Sequence, residues 1–275
     1  MKKIEDRRWK IGRHARRRPM WPTLSSISNL LSPLCGSRRG LTRMAGPDLR
    51  VLRRCVGFCE RAYGESSLHS ELAHCLVVWS GDRSEVAIAF RGSVHARDWL
   101  TDFDVRRADQ GICTLHAGFL AAARSIVDQV ARIDQREVKA RLTITGHSLG
   151  GAVAVIVAWL LSERGWRADQ VVTFGGPRVG DGAWRRCYQA ALGERTWRVV
   201  NGEDIVCRVP SWFTGWRHVG SELFIPMMGP AVVRPWLALK LLSDLGGTYR
   251  DYTEGRVAQL ADHGMDQYSR AVGAL

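Results

Sequence analysis

The residues of this chain best suited to chemistry are six in a row: Gly146-His147-Ser148-Leu149-Gly150-Gly151. They stand between an apolar strand-like run, Arg141–Thr145, and the helix-forming run that starts at Gly150. A serine with glycine two positions away on each side, between a strand and a helix, meets the requirements of a G-x-S-x-G elbow. Such a turn is tight enough that side chains at either glycine position would collide, and it holds the serine at a strained backbone angle. The Ser148 hydroxyl is thereby lifted clear of the sheet. The helix N-terminus beneath it adds positive potential where negative charge would develop.

A serine hydroxyl is a weak nucleophile without a base, and the base needs an acid to orient it. After such an elbow the acid and then the histidine follow the serine in the chain. That order removes His14, His69, His74, His95, His116 and His147 and leaves His218 and His263. Asp204, four residues past Arg198-Val199-Val200, falls on a loop after a later strand, where the acid belongs. Asp181 competes for the role but reads as the N-cap of a following helix. His263 stands in the polar turn Asp262-His263-Gly264-Met265, whereas His218 opens an apolar stretch. Loop position favours His263, but chain order alone leaves both open.

The elements that would carry these residues can be read from apolar periodicity and punctuation. Asp48 is placed to cap a helix reaching about Tyr63, with Leu49, Leu52, Val56, Cys59 and Tyr63 at helical spacing. Strands are expected at Cys75–Trp79 and Glu85–Phe90, around a Gly81-Asp82 turn. A helix follows over Gly118–Ile133, then strand Arg141–Thr145, helix Gly150–Arg164 and strand Gln170–Phe174. Helix Asp181–Leu192 and strand Thr196–Val200 complete the legible part. This alternation implies an α/β fold, with a parallel or mixed sheet covered by helices on both faces. The stretch Ser221–Asp262 is poorly patterned, although Pro235–Leu245 reads as a short amphipathic helix.

Several further motifs now make the chain, from about Val51 onward, resemble the lipase class 3 family, the fungal-type triacylglycerol lipases within the α/β-hydrolases. Phe90-Arg91-Gly92-Ser93, followed by Asp98-Trp99, is similar to the family's oxyanion strand and the start of its lid. His116-Ala117-Gly118-Phe119 and Phe174-Gly175-Gly176-Pro177-Arg178-Val179-Gly180 resemble later family segments, and the six residues around Ser148 are its nucleophile box. Asn201, Asp204, Val206 and Pro210 keep the spacing around the family's acid, and Asp262-His263 with Tyr268 resembles its histidine box. The resemblance therefore implies an α/β-hydrolase sheet and a Ser148–His263–Asp204 triad. It also implies oxyanion donors at Ser93 and Leu149, carboxylic ester hydrolysis through an acyl-enzyme, and no cofactor. Trp99, Phe103, Phe119, Val206 and Trp212 are candidates for an apolar acyl site, with Leu100, Pro210 and Phe213 nearby. The candidate lid, Val94–Phe103, carries His95, Arg97, Asp98 and Asp102, too polar for strong activation at an interface. An esterase or phospholipase A is the alternative within this class, and a catalytically silent membrane-binding module is the alternative outside it.

Composition bounds the remaining possibilities. The net charge of +13 is carried by residues 1–54, with 15 Lys/Arg against 3 Asp/Glu, so the rest is nearly neutral. Residues 1–45 read as a basic arm expected to be disordered, and residues 46–275 as the catalytic domain. Residues 1–54 could draw the chain to an anionic membrane surface. No DNA- or RNA-binding motif accompanies the arm, so nucleic acid is not the expected partner, and no obligate protein partner is expected. Seven cysteines without a CxxC pair argue for a reducing compartment. Cys55, Cys59, His74 and Cys75 invite a metal reading, but helical spacing makes Cys59 a small core residue and no metal is expected. The chain shows no apolar signal core near Met1 and no eighteen-residue apolar run, which points to a cytoplasmic protein peripheral to a membrane at most.

Overall fold

A computed structural model describes residues 46–93, 105–133, 140–226, 231–233 and 262–275. The expected arm at 1–45, the lid candidate 94–103 with Trp99 and Phe103, and the expected helix at 235–245 lie outside the described residues.

The first described helix, α1 (Leu49–Arg61), begins where Asp48 accepts the Arg50 backbone N–H at 2.8 Å, satisfying one of the amides left open at a helix start. Its buried face is Leu52, Cys55, Val56 and Cys59. Leu49, the first of the expected apolar series, is exposed. Strands β1 (Leu68–His69), β2 (His74–Trp79) and β3 (Glu85–Phe90) follow, then a small hairpin of β4 (Arg107–Asp109) and β5 (Thr114–His116). Helix α2 (Ala117–Val130), strand β6 (Arg141–His147), helix α3 (Leu149–Ser162) and strand β7 (Gln170–Phe174) form the centre. Helix α4 (Gly182–Leu192), strands β8 (Thr196–Asn201), β9 (Ser221–Ile225) and β10 (Val232–Val233), and helix α5 (Met265–Gly273) follow.

Eight strands form one sheet in the order β1-β2-β3-β6-β7-β8-β9-β10. From β3 to β9 every pairing is parallel, and β1, β2 and β10 add antiparallel edges. Alternation along each strand sorts its side chains between two helical layers. Leu142, Ile144 and Val171 face α2, α3 and α4, whereas Val172, Phe174 and Val199 face α1 and α5. α3 is buried almost all round, from Gly150 through Leu161, which explains why its sequence is apolar without a polar stripe.

Register brings the chemistry to one edge. Phe90 pairs with Gly146, His147 with Phe174, and Phe174 with Val199. The segments leaving β3, β6, β7 and β8 therefore emerge side by side at the carboxyl ends of the parallel strands, where α/β sheets place their sites.

Candidate active site

Ser148 is the single residue between β6 and α3, with φ +57° and ψ −128°, a conformation that costs a non-glycine residue strain energy. A Cβ at Gly146 would lie 2.2 Å from the Gly150 carbonyl oxygen, and one at Gly150 would lie 2.2 Å from that of Phe90. Both glycines are thus required by backbone contact, on either side of the serine. The Ser148 N–H donates to the Phe174 carbonyl at 2.9 Å, tying the elbow to β7.

The structure brings Ser148, His263 and Asp204 together across more than one hundred residues of chain. Ser148 Oγ stands 2.8 Å from His263 Nε2, and His263 Nδ1 lies 2.9 and 3.0 Å from the two Asp204 carboxylate oxygens. All three are buried, so few water molecules compete for these bonds. Asp204 is held by its own loop: the Val206 N–H donates to Oδ1 at 2.9 Å, and Tyr268 on α5 donates its hydroxyl to Oδ2 at 2.6 Å. The His263 turn is latched to the end of β8 through Asn201 Nδ2 to the Asp262 carbonyl, 3.2 Å, and the Glu203 N–H to Asp262 Oδ2, 3.1 Å.

Gly175, just past β7, has φ +61°, and a Cβ there would lie 2.7 Å from Asp204 Oδ2 and 3.1 Å from the His263 ring. It keeps the space between acid and base clear. The other two contenders occupy structural positions. Asp181 Oδ1 accepts the Trp184 N–H at 2.8 Å as the cap of α4, and His218 Nε2 bonds the Cys207 carbonyl at 2.7 Å.

His147 is excluded as a base by chain order, yet it touches the triad from behind. Its Nε2 donates to the His263 carbonyl at 2.8 Å, which leaves Nδ1 to accept the Tyr63 hydroxyl at 2.7 Å. The Tyr63 hydroxyl also lies against Gly92, where an added Cβ would stand 2.5 Å from it. Burial, aided by the neighbouring His263, pushes the His147 pKa down to about 3, so the ring stays neutral and keeps this donor–acceptor order. A chain of hydrogen bonds thus runs from Tyr63, packed beside the segment after β3, to the backbone of His263. Sequence reasoning missed the role of Tyr63, because the only signal was its helical spacing and its partner lies 84 residues away.

Of the oxyanion candidates, Leu149 opens α3. Ser93 follows Gly92, whose added Cβ would lie 2.9 Å from Ser148 Cβ. Among the acyl-site candidates, Phe119 and Val206 are fully buried, Phe119 stacked on His116 at 4.0 Å. Trp212 lies on an exposed 3-10 turn, stacked on Phe213 at 3.9 Å.

Residues 87–214 match the family model described as Lipase (class 3). Over these residues the chain is similar to the lipase (class 3) family. A secreted mono- and diacylglycerol lipase of Fusarium solani is 33% identical to this chain over 150 residues, 52% of this chain and 44% of that protein. The chloroplastic phospholipase A1-Igamma2 of Arabidopsis thaliana is 27% identical over 208 residues, 56% of this chain and 39% of that protein. The chain spans about half the length, or less, of the curated relatives it matches. The solved Rhizomucor miehei triacylglyceride lipase aligns with a TM-score of 0.60 at 24% identity, covering 71% of this chain and 85% of that one. At that identity the likeness is one of fold.

Proposed function

We propose that this chain is a class 3-type serine hydrolase that cleaves carboxylic esters of lipids. The observation that carries the reading is the relay from Asp204 to His263 Nδ1 and from His263 Nε2 to Ser148 Oγ at 2.8 Å, with the serine on a strained elbow at a helix start. In this reading Ser148 Oγ attacks the ester carbonyl while His263 Nε2 takes its proton. Asp204 holds the imidazole tautomer and stabilises the imidazolium. The backbone N–H groups of Leu149 and Ser93, with the Ser93 hydroxyl, receive the oxyanion, and each such donor is worth about 2.7–4 kcal/mol. His263 then protonates the leaving alcohol, and water releases the acyl group from Ser148 by the reverse sequence.

The acylglycerol substrate class is supported by the Fusarium solani lipase. Phospholipid A1-type esters are the second reading, supported by the Arabidopsis thaliana phospholipase. A basic arm over residues 1–45, a catalytic domain over 46–275 and a reducing, cytoplasmic setting belong to the same proposal. Six described cysteines carry free thiols, which supports the setting. Hydrolysis of p-nitrophenyl esters from short to long chains, below and above each solubility limit, tests the reading. Turnover lost in Ser148→Ala supports it, and a rise above the limit with long chains assigns a lipase. Folded protein without turnover on any ester overturns it.

A further inference from the structure

Beyond the acid loop, the chain presents two aromatic rings to solvent that the triad does not use. Phe213 is 79% exposed and Trp212 53%, and Phe213 is the most exposed large apolar side chain among the described residues. The rings stack on each other at 3.9 Å. Their turn, Trp212–Thr214, is held firmly from beneath. Arg217 donates to the carbonyls of Trp212 and Trp216 at 2.7 and 2.9 Å. Arg107 donates to the Thr214 carbonyl and lies over the buried Trp216 ring at 4.9 Å. A protruding aromatic pair fixed in this way exposes apolar area that a protein in water alone has no reason to keep.

The surroundings of the pair are cationic. Arg217 also lines an open cleft of about 490 Å³ with Arg185, Arg186 and Gln189 of α4. The acid at the head of this helix, Asp181, is engaged with the Trp184 N–H. The loop bearing Trp212 leaves the sheet at the end of β8, the edge at which Ser148 sits.

We propose that this face docks the chain on the surface of an anionic lipid bilayer. Trp212 and Phe213 enter the boundary between headgroups and acyl chains, where Trp and Phe rings anchor proteins, and Arg185, Arg186 and Arg217 meet lipid phosphates. Exposed aromatic rings beside a cluster of arginines suit an anionic lipid surface, which takes apolar rings and cations at one boundary. This site is separate from residues 1–54, which would act by charge alone. Its purpose rests on the lipid-ester reading, but its binding is measured without turnover.

The test is co-sedimentation of the full chain, carrying Ser148→Ala so that no lipid is consumed. The vesicles are phosphatidylcholine alone or with about a third phosphatidylglycerol. The chain is expected to prefer the anionic vesicles. Trp212→Ala/Phe213→Ala is expected to weaken that binding about tenfold with an unchanged melting temperature. Arg185→Gln/Arg186→Gln is expected to lose about fivefold per arginine on anionic vesicles only. If the double aromatic variant melts early, Phe213→Ala alone is read instead. Equal binding of parent and variants, or no vesicle binding by the parent, overturns the proposal. Capture by polyglutamate through these residues, without vesicle binding, overturns it in favour of an acidic protein.

Discussion

Gly175 shows how little room the acid and base have at the scale of single residues. Because a Cβ there would stand 2.7 Å from Asp204 Oδ2, Gly175→Ala is expected to displace the carboxylate from His263. Misplacement by about 1 Å costs on the order of a hundredfold, so kcat on a soluble ester should fall by about that much. Rates near the parent's would show that the loop yields without harm. Tyr63 acts at one remove. Tyr63→Phe leaves the buried Nδ1 of His147 without its donor, at a cost of about 1–3 kcal/mol of stability, read from urea unfolding. It should also lower kcat more than it raises KM, because the His263 carbonyl hangs from the same ring. The Ser148 box and Asp204 were legible because local spacing announces them. Tyr63 and His147 were not, because their function is a contact between distant segments.

At the scale of elements, α4 and the loop after β8 separate the two acids that the sequence left in competition. Asp181→Ala removes the cap contact to Trp184 and is expected to cost about 1 kcal/mol of stability while leaving kcat intact. Asp204→Asn is expected to leave the fold standing and lower kcat by about 10⁴, since His263 would hold the wrong tautomer. Measuring kcat and unfolding midpoints for both variants checks the pair, and the reverse pattern would reassign the acid. Apart from β4 and β5, the strands and helices from β2 to β8 were readable because their apolar runs end in Gly, Asp or turn residues. Strand β9 was obscured by Glu222, which pairs in register with Arg198 of β8 and accepts a hydrogen bond from it at 2.5 Å. A buried charge looks like a surface residue until its partner is known. The hairpin of β4 and β5 was missed for a different reason: its strands are three residues each, too short to establish a period.

At the scale of the whole molecule, His147 links folding to pH. In the folded chain burial holds its pKa at about 3, whereas in the unfolded chain it titrates near about 6.5. Between those values the unfolded state binds a proton that the folded state refuses. Stability is therefore fully present above the unfolded value and declines as pH falls, by about 1.4 kcal/mol per pH unit from this group. Urea unfolding of the parent and His147→Gln from neutral to acid pH should give a steeper decline for the parent. Parallel curves would mean that His147 is not held neutral by the fold.

The central claim, that Ser148 is a nucleophile activated through His263, is tested most directly by covalent trapping with an alkyl fluorophosphonate. Peptide mass spectrometry should locate one adduct, on Ser148, and the trapping rate should fall by about 10³ or more in His263→Ala. An adduct on another serine, or trapping at an undiminished rate without His263, would contradict the claim.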